Sequence, residues 1–354
     1  AAARPVGTAI PLQGRDRMIE TPNDIAPYGD IILWEKPVQF AAALFIRNGS
    51  TVFDIGANTG GVAIALRRLA GQKGRLTAFE CHPKMIAWCR ENFRVNDARD
   101  IRLVEKACWN QAGANLRMAS DEGFYSPSSS LVRAIKTDRH FEVATTTVDV
   151  EAASEGQWPD FIKIDVEGAE YEVLQGAEAA LSREPVIVLE RMPPHQMPGR
   201  EDRDPVPFLI ERGYRCFDVN SLEPLDPDEA FVLPTNILAI PPRLTGFAPR
   251  FTDAARQKSA DGALTFPLDP GAYRISLDIA VQGEGTGAFR LHDSAGRLVL
   301  MAADRSERLA APLCAVFPMR VDAPDTYSLT LEGETVSLGG LTVERIDGLQ
   351  ADAG

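Results

Sequence analysis

Short apolar runs alternate with longer amphipathic stretches over the first two thirds of the chain. The runs Thr51–Ile55, Asp160–Asp165 and Pro185–Glu190 have the continuous apolar centres of strands buried on both faces. Two of the intervening stretches, Pro83–Asn96 and Ala169–Leu181, carry apolar residues at helical spacing. Strands that alternate with helices predict crossover connections and a mainly parallel sheet.

The remaining elements of this region are shorter. A helix is predicted directly after the first strand, closing near Gly71, and another over Phe208–Gly213. The further predicted strands are Arg75–Glu80, Ile101–Trp109, Thr145–Glu151, and the segments "YRCFDV" and "NILAIP".

The pattern changes near Pro241. Beyond a linker come about seven short β-like runs, separated by turn signals such as "DPG", "SAG" and "APD". This spacing predicts an all-β sandwich domain. The sequence therefore divides into an N-terminal extension with a helical lead-in (1–50), an α/β domain (51–241) and an accessory β-sandwich domain (242–354).

Charge and cysteine usage narrow the function classes. The 354-residue chain has a net charge of −13, which argues against nucleic acid as a partner, and no apolar stretch reaches membrane-spanning length. The five cysteines are scattered, odd in number and without a C-x-x-C pair. That pattern is typical of free thiols in a reducing compartment and predicts a cytoplasmic location.

The most informative local motif is "VFDIGANTGG", in which three glycines follow an apolar run. A phosphate loop would need Lys and a hydroxyl residue after Gly60, and a dinucleotide fingerprint would need glycine in place of Asn58. A third interpretation is D-x-G-x-x-x-G, which cradles the amino-acid part of S-adenosylmethionine. Asp54 suits that cationic ligand and would repel a pyrophosphate. Glycine turns also follow many strands for structural reasons alone.

Glu80 ends the next predicted strand. An acid at this point reaches paired ribose hydroxyls in nucleoside-binding sheets. The alternative is an N-cap acid for the helix after Pro83, and both roles can hold together. A glycine turn followed by an acid at the end of the next strand is more specific than either feature alone.

The segment "DFIKIDVEGAEYEVLQGA" (160–177) resembles the FkbM-type methyltransferases. The pattern K-I-D-x-E-G-x-E followed by L-x-G-A is matched by Lys163, Ile164, Asp165, Glu167, Gly168, Glu170, Leu174, Gly176 and Ala177. Further matches are the glycine turn, a serine pair before Thr147 and Asp149, and a strand ending at Glu190. One departure is Val148, where the family usually has Leu. The resemblance covers roughly Tyr28 to Pro241.

This resemblance implies a Rossmann-like methyltransferase sheet of seven strands, the last antiparallel, with helices on both faces. It also implies O-methyl transfer from S-adenosylmethionine to a hydroxyl of a sugar, glycan or polyketide-like natural product. The expected cofactor-binding residues are Asp54, Gly56, Ala57, Asn58, Gly60, Glu80, Cys81, Ser129, Ser130 and Asp165.

Three residues are candidates for catalysis. Asp165 is expected to face the ligand or the substrate; Glu167 is either a base or metal ligand, or a first-turn acid that interacts with the helix dipole. His195, in the loop after the next strand, is a plausible base, although lone loop histidines are more often surface residues. Asp165, Glu190 and His195 could form an oxygen-rich divalent-metal site, but nothing in their spacing demands one. We therefore predict no metal.

The role of the C-terminal domain stays open between glycan binding and packing or homo-oligomer formation. All four tryptophans lie before Pro241, so the usual aromatic platform for sugars is lacking there. The rival function for the whole chain is a catalytically inactive binding protein that keeps the methyltransferase fold.

Overall fold

A computed structural model describes residues 8–11, 17–20, 36–119, 132, 140–228, 231, 234–253, 257–258, 264–281, 287–292, 294–295, 298–304, 313–321, 324–332, 336–347 and 349. The chain divides into two compact units. The first includes Ala41–Val219 and Glu223–Leu244, and the second includes Asn220–Leu222 and Thr245–Gly354. The division after Leu244 lies close to the linker that the sequence predicts at Pro241.

The helices and strands of the N-terminal two thirds alternate along the chain. The strands are β1 (Thr8–Pro11), β2 (Arg17–Glu20), β3 (Thr51–Ile55), β4 (Arg75–Phe79), β5 (Arg102–Val104), β6 (Ala107–Cys108), β7 (Asn115–Ala119), β8 (His140–Thr146), β9 (Phe161–Ile164), β10 (Val186–Arg191), β11 (Arg215–Asp218) and β12 (Thr235–Ile240). The helices are α1 (Lys36–Phe45), α2 (Gly61–Ala70), α3 (Pro83–Val95), α4 (Val148–Glu155), α5 (Glu170–Gln175), α6 (Glu178–Leu181) and α7 (Pro205–Ile210).

Seven of these strands form the central sheet, in the order β11-β12-β10-β9-β3-β4-β5. The pairs β10–β9, β9–β3, β3–β4 and β4–β5 are parallel, and β12 is antiparallel to both of its neighbours. The predicted sheet, with its antiparallel last strand, is confirmed. Strand order reverses between β3 and β9, and this switch point is where open α/β sheets bind ligands.

The core of the sheet follows directly from the apolar runs. Every residue of β3 and β9 is buried, as expected of central strands covered on both sides. Helix α2 turns one apolar face inward, with Val62, Ile64 and Leu66 buried. The loops at the carboxyl ends of β3 and β9 therefore extend from strands that are packed in the core.

Three predicted elements need correction. Thr145–Glu151 is not one strand: β8 ends at Thr146, and helix α4 begins at Val148 because Thr147 Oγ1 caps it by accepting from Val150 N at 3.0 Å. The predicted strand Ile101–Trp109 is two strands, with β5 in the central sheet and β6 in a separate sheet of order β6-β8-β7.

The third correction concerns the predicted helix Ala169–Leu181, which is split into α5 and α6 around Gly176. A Cβ at this position would overlap the carbonyl oxygen of Trp109. The glycine therefore allows the backbones to approach closely, and the helix is interrupted there.

The second unit is built from antiparallel sheets, as the all-β prediction requires. One sheet has the order β13-β21-β16-β19 and another β14-β15-β20-β17-β18. The strands are β13 (Arg250–Asp253), β14 (Gln257–Lys258), β15 (Leu264–Leu268), β16 (Gly271–Val281), β17 (Gly287–His292), β18 (Leu298–Asp304), β19 (Leu313–Val321), β20 (Asp325–Glu332) and β21 (Val336–Asp347). Face-to-face packing of the two sheets as a sandwich stays a prediction.

Within the described part of the chain, no helix combines the length and the apolar character needed to cross a bilayer.

Candidate active site

The glycine turn after β3 meets the end of β9 in very close contact. Gly56 has φ +82°, and a Cβ there would overlap the carbonyl oxygen of Asp165. The Asp165 backbone N–H in turn donates to the Ile55 carbonyl at 2.9 Å. Glycine is thus required so that the two strand ends can lie against each other. The sequence predicts that Gly56 binds the cofactor. In the structure, the space that a Gly56 side chain would occupy is filled by the backbone of Asp165.

The amide groups of the turn are directed into the protein. Gly56 N and Ala57 N both donate to the Phe79 carbonyl, at 3.0 and 2.9 Å, and Gly60 N donates to Ala57 O at 2.8 Å. Asn58 N donates to a carboxylate oxygen of Glu80 at 2.8 Å. A phosphate loop needs such N–H groups free to bind the anion, so this turn is not organised for phosphate.

Glu80 joins the ends of β3 and β4. Besides the N–H of Asn58, its carboxylate accepts from Cys81 N at 2.8 Å and from His82 N at 2.7 Å. Burial nevertheless raises the pKa of Glu80 to about 7, against the lowering effect of these donors and of Lys163. The alternative role as N-cap of α3 is wrong, because His82 Nδ1 accepts from Lys84 N at the first turn.

A buried ion cluster connects β3 with β9. Lys163 Nζ lies 3.5 Å from Asp54 Oδ1 and 3.3 Å from Asp165 Oδ2, and it donates to the Gly56 carbonyl at 3.1 Å. Asp54 is fully buried, and this burial raises its pKa. The Asp54 carboxylate therefore faces Lys163 and is not at the surface.

Asp165 is the accessible end of this cluster. The relative solvent exposure of its side chain is 26%, whereas that of the Lys163 side chain is only 4%. Asp165 also belongs to a group of three carboxylates, with Glu167 and Glu190, whose oxygens lie within 4.8 Å of one another. Burial, followed by the charges of Asp165 and Glu167, raises the pKa of Glu190 far above its ordinary value.

His195 is not part of this group. It lies in the short helical turn Pro194–Gln196 and is exposed. The hypothetical metal trio of Asp165, Glu190 and His195 is thus wrong in its third member, whose place Glu167 takes. The group remains a cluster of acids, and its geometry alone does not establish a metal site.

The last Glu of the K-I-D-x-E-G-x-E pattern has a structural role. Glu170 is almost fully buried and accepts from Val166 N at 3.0 Å and Gly168 N at 3.2 Å. These bonds hold the turn in which Glu167 adopts φ +56°, a conformation that non-glycine residues rarely take. Glu170 therefore fixes the segment that carries Asp165 and Glu167.

Residues 54–216 match the family model described as Methyltransferase FkbM domain. This segment is an FkbM methyltransferase domain. It contains the glycine turn, Glu80, the ion cluster and the three-carboxylate group. The predicted family is confirmed for this part of the chain.

Comparison with individual proteins gives shorter or more distant matches. A "Probable cobalt-precorrin-6B C(15)-methyltransferase (decarboxylating)" of Thermoplasma volcanium is 40% identical over 62 residues, which are 17% of this chain and 31% of that protein. The chain thus spans about a third of the length of this curated relative.

Two solved structures have similar folds. A methyltransferase FkbM from Methylobacillus flagellatus has a TM-score of 0.37 and 16% identity, over 55% of this chain and 44% of that one. A precorrin-6y C5,15-methyltransferase from Geobacter metallireducens has a TM-score of 0.36 and 18% identity, over 58% of this chain and 86% of that one.

The polar groups of the FkbM domain fit the family's cofactor, S-adenosylmethionine. Asn58 Oδ1 is buried and accepts no hydrogen bond from any described residue, and the buried Asp54 carboxylate has Lys163 as its ion-pair partner. With Glu80 and Asp165, these groups form a site rich in acceptors and negative charge. Such a site suits ribose hydroxyls and a cationic ligand and disfavours a phosphate.

The loop after β10 lies against the turn that carries Glu167. Met197 Sδ is so close to Gly168 that a Cβ there would come within 2.7 Å of it. Arg200 of the same loop pairs with the buried Glu172 at 2.5 Å. The FkbM domain thus places this loop next to the three-carboxylate group. Ser129 and Ser130, predicted cofactor contacts, lie outside the described residues.

Sequence reasoning missed the roles of Lys163 and Glu170, although both stand in the family pattern. For Lys163 a signal was present, because a single lysine within the apolar strand "FIKI" must find buried partners. For Glu170 no local signal distinguishes a buried carboxylate that accepts from the preceding turn from an exposed acid in a first helical turn.

Proposed function

We propose that this protein is an S-adenosylmethionine-dependent O-methyltransferase acting on a hydroxyl of a sugar, glycan or polyketide-like natural product. The observation that carries the proposal is the arrangement of Glu80, Asn58 and Asp165. These acceptors lie at the carboxyl ends of adjacent parallel strands, at the switch point of a sheet that belongs to the FkbM domain. The acceptor class comes from the family resemblance.

Cofactor binding is assigned to the turns after β3 and β4. Glu80 is the acceptor for ribose hydroxyls, since its carboxylate is fixed by three backbone donors. Asn58 offers a buried amide oxygen that accepts no hydrogen bond from the residues the structure describes. Asp54 acts through its charge, because its side chain is fully buried behind the turn.

S-adenosylmethionine, when bound, supplies a methyl group on a cationic sulfur. The protein's task is to align the acceptor hydroxyl in line with that methyl and to take up its proton. Asp165 is assigned as the base, because its carboxylate is partly exposed at the end of β9 and oriented by Lys163. Glu167 lies in the same group and is the second candidate.

The C-terminal β unit is proposed to bind an extended acceptor such as a glycan, or a second copy of the chain. A cytoplasmic location is also proposed, and the described cysteines, all of which are free, support it. These free cysteines are Cys81, Cys89, Cys108 and Cys216.

Calorimetry with S-adenosylhomocysteine tests the first step. We expect saturable one-to-one binding by the full chain, and no comparable binding of ATP or NAD. Transfer of labelled methyl from S-adenosylmethionine to a panel of sugars, glycans and polyketide alcohols then tests the second step. Absence of S-adenosylhomocysteine binding by the folded protein would overturn the assignment.

The alternative, a binding protein that has lost catalysis, predicts a different pair of results. Such a protein would bind S-adenosylhomocysteine but transfer no methyl to any acceptor, with or without added Mg²⁺. It would also be insensitive to Asp165→Asn in every assay except stability. Fold alone does not separate these outcomes.

A further inference from the structure

Lys163 is a lysine in the centre of the sheet. It lies on β9, whose residues are all buried, between β3 and β10, and only 3% of the residue is exposed. Lysine loses much of its hydration when it is buried, so a position of this kind needs compensation by several partners. Gly56, Asp54 and Asp165, which are partners of Lys163, lie at the candidate site.

The ammonium group of Lys163 bridges three separate parts of that site. It donates to the carbonyl of Gly56 in the glycine turn, pairs with Asp54 at the end of β3, and pairs with Asp165 after β9. Of these three, only Asp165 has a partly exposed side chain. Lys163 is thus the link between the turn assigned to the cofactor and the acid assigned to the acceptor.

The charge of Lys163 also acts on two further acids of the site. It lowers the pKa of Glu80 and of Glu190, both of which are otherwise raised by burial. The groups that face Asp54 are Lys163, Asp165 and the buried thiol of Cys89. The positive charge of Lys163 therefore reduces the electrostatic repulsion among these carboxylates.

We propose that Lys163 is a positioning residue of the methyl-transfer site, which holds the glycine turn and the Asp165 carboxylate in one fixed arrangement. The inference rests on the proposed function. Because Lys163 is buried, it acts without touching the ligand. Loss of its ammonium should release both the Gly56 carbonyl and the Asp165 carboxylate, although the lining of the site is unchanged.

The test compares Lys163→Met, which keeps the length of the side chain but removes its charge, with Lys106→Met. Lys106 is the control, because it is an exposed lysine that also pairs with a carboxylate, Glu151 at 3.6 Å, away from the turn. We expect S-adenosylhomocysteine affinity to fall about tenfold or more in Lys163→Met, as for loss of hydrogen bonds to a charged group, and to stay unchanged in Lys106→Met. Lys163→Arg, which restores the cation, should recover part of the affinity.

A second measurement separates positioning by charge from simple packing. Without Lys163, the buried Asp54 carboxyl has a further raised pKa, so it favours the folded state only while protonated. The stability penalty of Lys163→Met should therefore grow between about pH 5 and about pH 8, and Asp54→Asn should remove that growth. A packing defect would cost the same at both pH values.

The inference requires both the loss of S-adenosylhomocysteine affinity and the pH-dependent stability penalty in Lys163→Met. Wild-type affinity in folded Lys163→Met, or a penalty independent of pH, overturns the inference while the proposed function stands. If Lys163→Met does not fold, the double variant Asp54→Asn, Lys163→Met should fold, because it no longer buries an unpaired Asp54 carboxylate. Failure of the double variant to fold also overturns the inference. If the wild-type chain does not bind S-adenosylhomocysteine, the proposed function fails first.

Discussion

In Glu80, burial and hydrogen bonding act on the pKa of the carboxyl group in opposite directions. Three backbone N–H groups stabilise its carboxylate, yet burial raises its pKa to about 7. A carboxylate accepts from ribose hydroxyls better than the protonated acid does. We therefore expect the charge state of Glu80 to influence cofactor binding near neutral pH.

We predict that S-adenosylhomocysteine affinity falls as the pH drops below about 7, since protonated Glu80 must first lose its proton. Glu80→Gln should weaken binding by about 1.5–3 kcal/mol and make it nearly independent of pH in this range. Calorimetry between about pH 5 and about pH 8 measures both effects. Glu105→Gln, at an exposed position, is the control. A pH profile of Glu80→Gln that matches the wild type would exclude Glu80 as the source of the pH dependence.

Asp165 should show the opposite pattern from Glu80, with a larger effect on turnover than on affinity. As a positioned base, its replacement in Asp165→Asn should lower the single-turnover rate by roughly 10²–10⁴. Cofactor affinity should change much less, because the ribose acceptor is elsewhere. Transfer at the wild-type rate would make Asp165 structural and move the search for a base to Glu167 and His195.

Among the secondary-structure elements, the site depends on the close approach between the ends of β3 and β9. It brings Asp54, Gly56 and Asp165 together, and it is possible only because Gly56 has no side chain. This changes the meaning of substitutions at Gly56. Added bulk there separates the strand ends instead of merely closing a ligand cavity.

We predict that Gly56→Ala destabilises the protein severely, and Gly156→Ala provides the control. Both glycines have positive φ, but a Cβ at Gly156 meets nothing within 4 Å, whereas one at Gly56 overlaps the Asp165 carbonyl. Gly156→Ala should therefore cost only about 1–2 kcal/mol, the cost of the left-handed conformation. Urea denaturation gives both values, and equal costs would show that the β3–β9 approach relaxes easily.

At the scale of the whole molecule, the chain consists of two units whose folds differ in class. The FkbM domain ends within the first unit, whose last residues are still tied to it: Arg243 N donates to Glu184 Oε2, and Leu244 O accepts from Arg215. The central sheet is complete at β12. None of the strands described after Leu244 belongs to it.

We predict that a chain ending at Leu244 folds and binds S-adenosylhomocysteine with wild-type affinity. The reason is that all the strands of the central sheet, and all the described residues assigned to the cofactor, precede this point. Circular dichroism and calorimetry check the two parts of the prediction. An insoluble product, or a folded one that does not bind, would mean that the β unit completes the core or the site.

The sequence by itself determined the alternation of strands and helices, the glycine turn, the acid ending β4 and the family pattern around Asp165. These features are local, since period, turn chemistry and short motifs are set by residues near one another in the chain. Even there, the strand predicted over 145–151 was wrong, because a threonine cap outweighed β propensity at Val148 and Val150.

Only the tertiary structure decided which side chains share one site. Lys163 meets the Gly56 carbonyl across 107 positions of sequence, and Glu167 rather than His195 joins Asp165 and Glu190. It also showed that Gly56 is a glycine because of Asp165, and that Asp54 faces a lysine. Such contacts depend on strand order and register across the sheet, and the local periodicity of a single chain does not specify them.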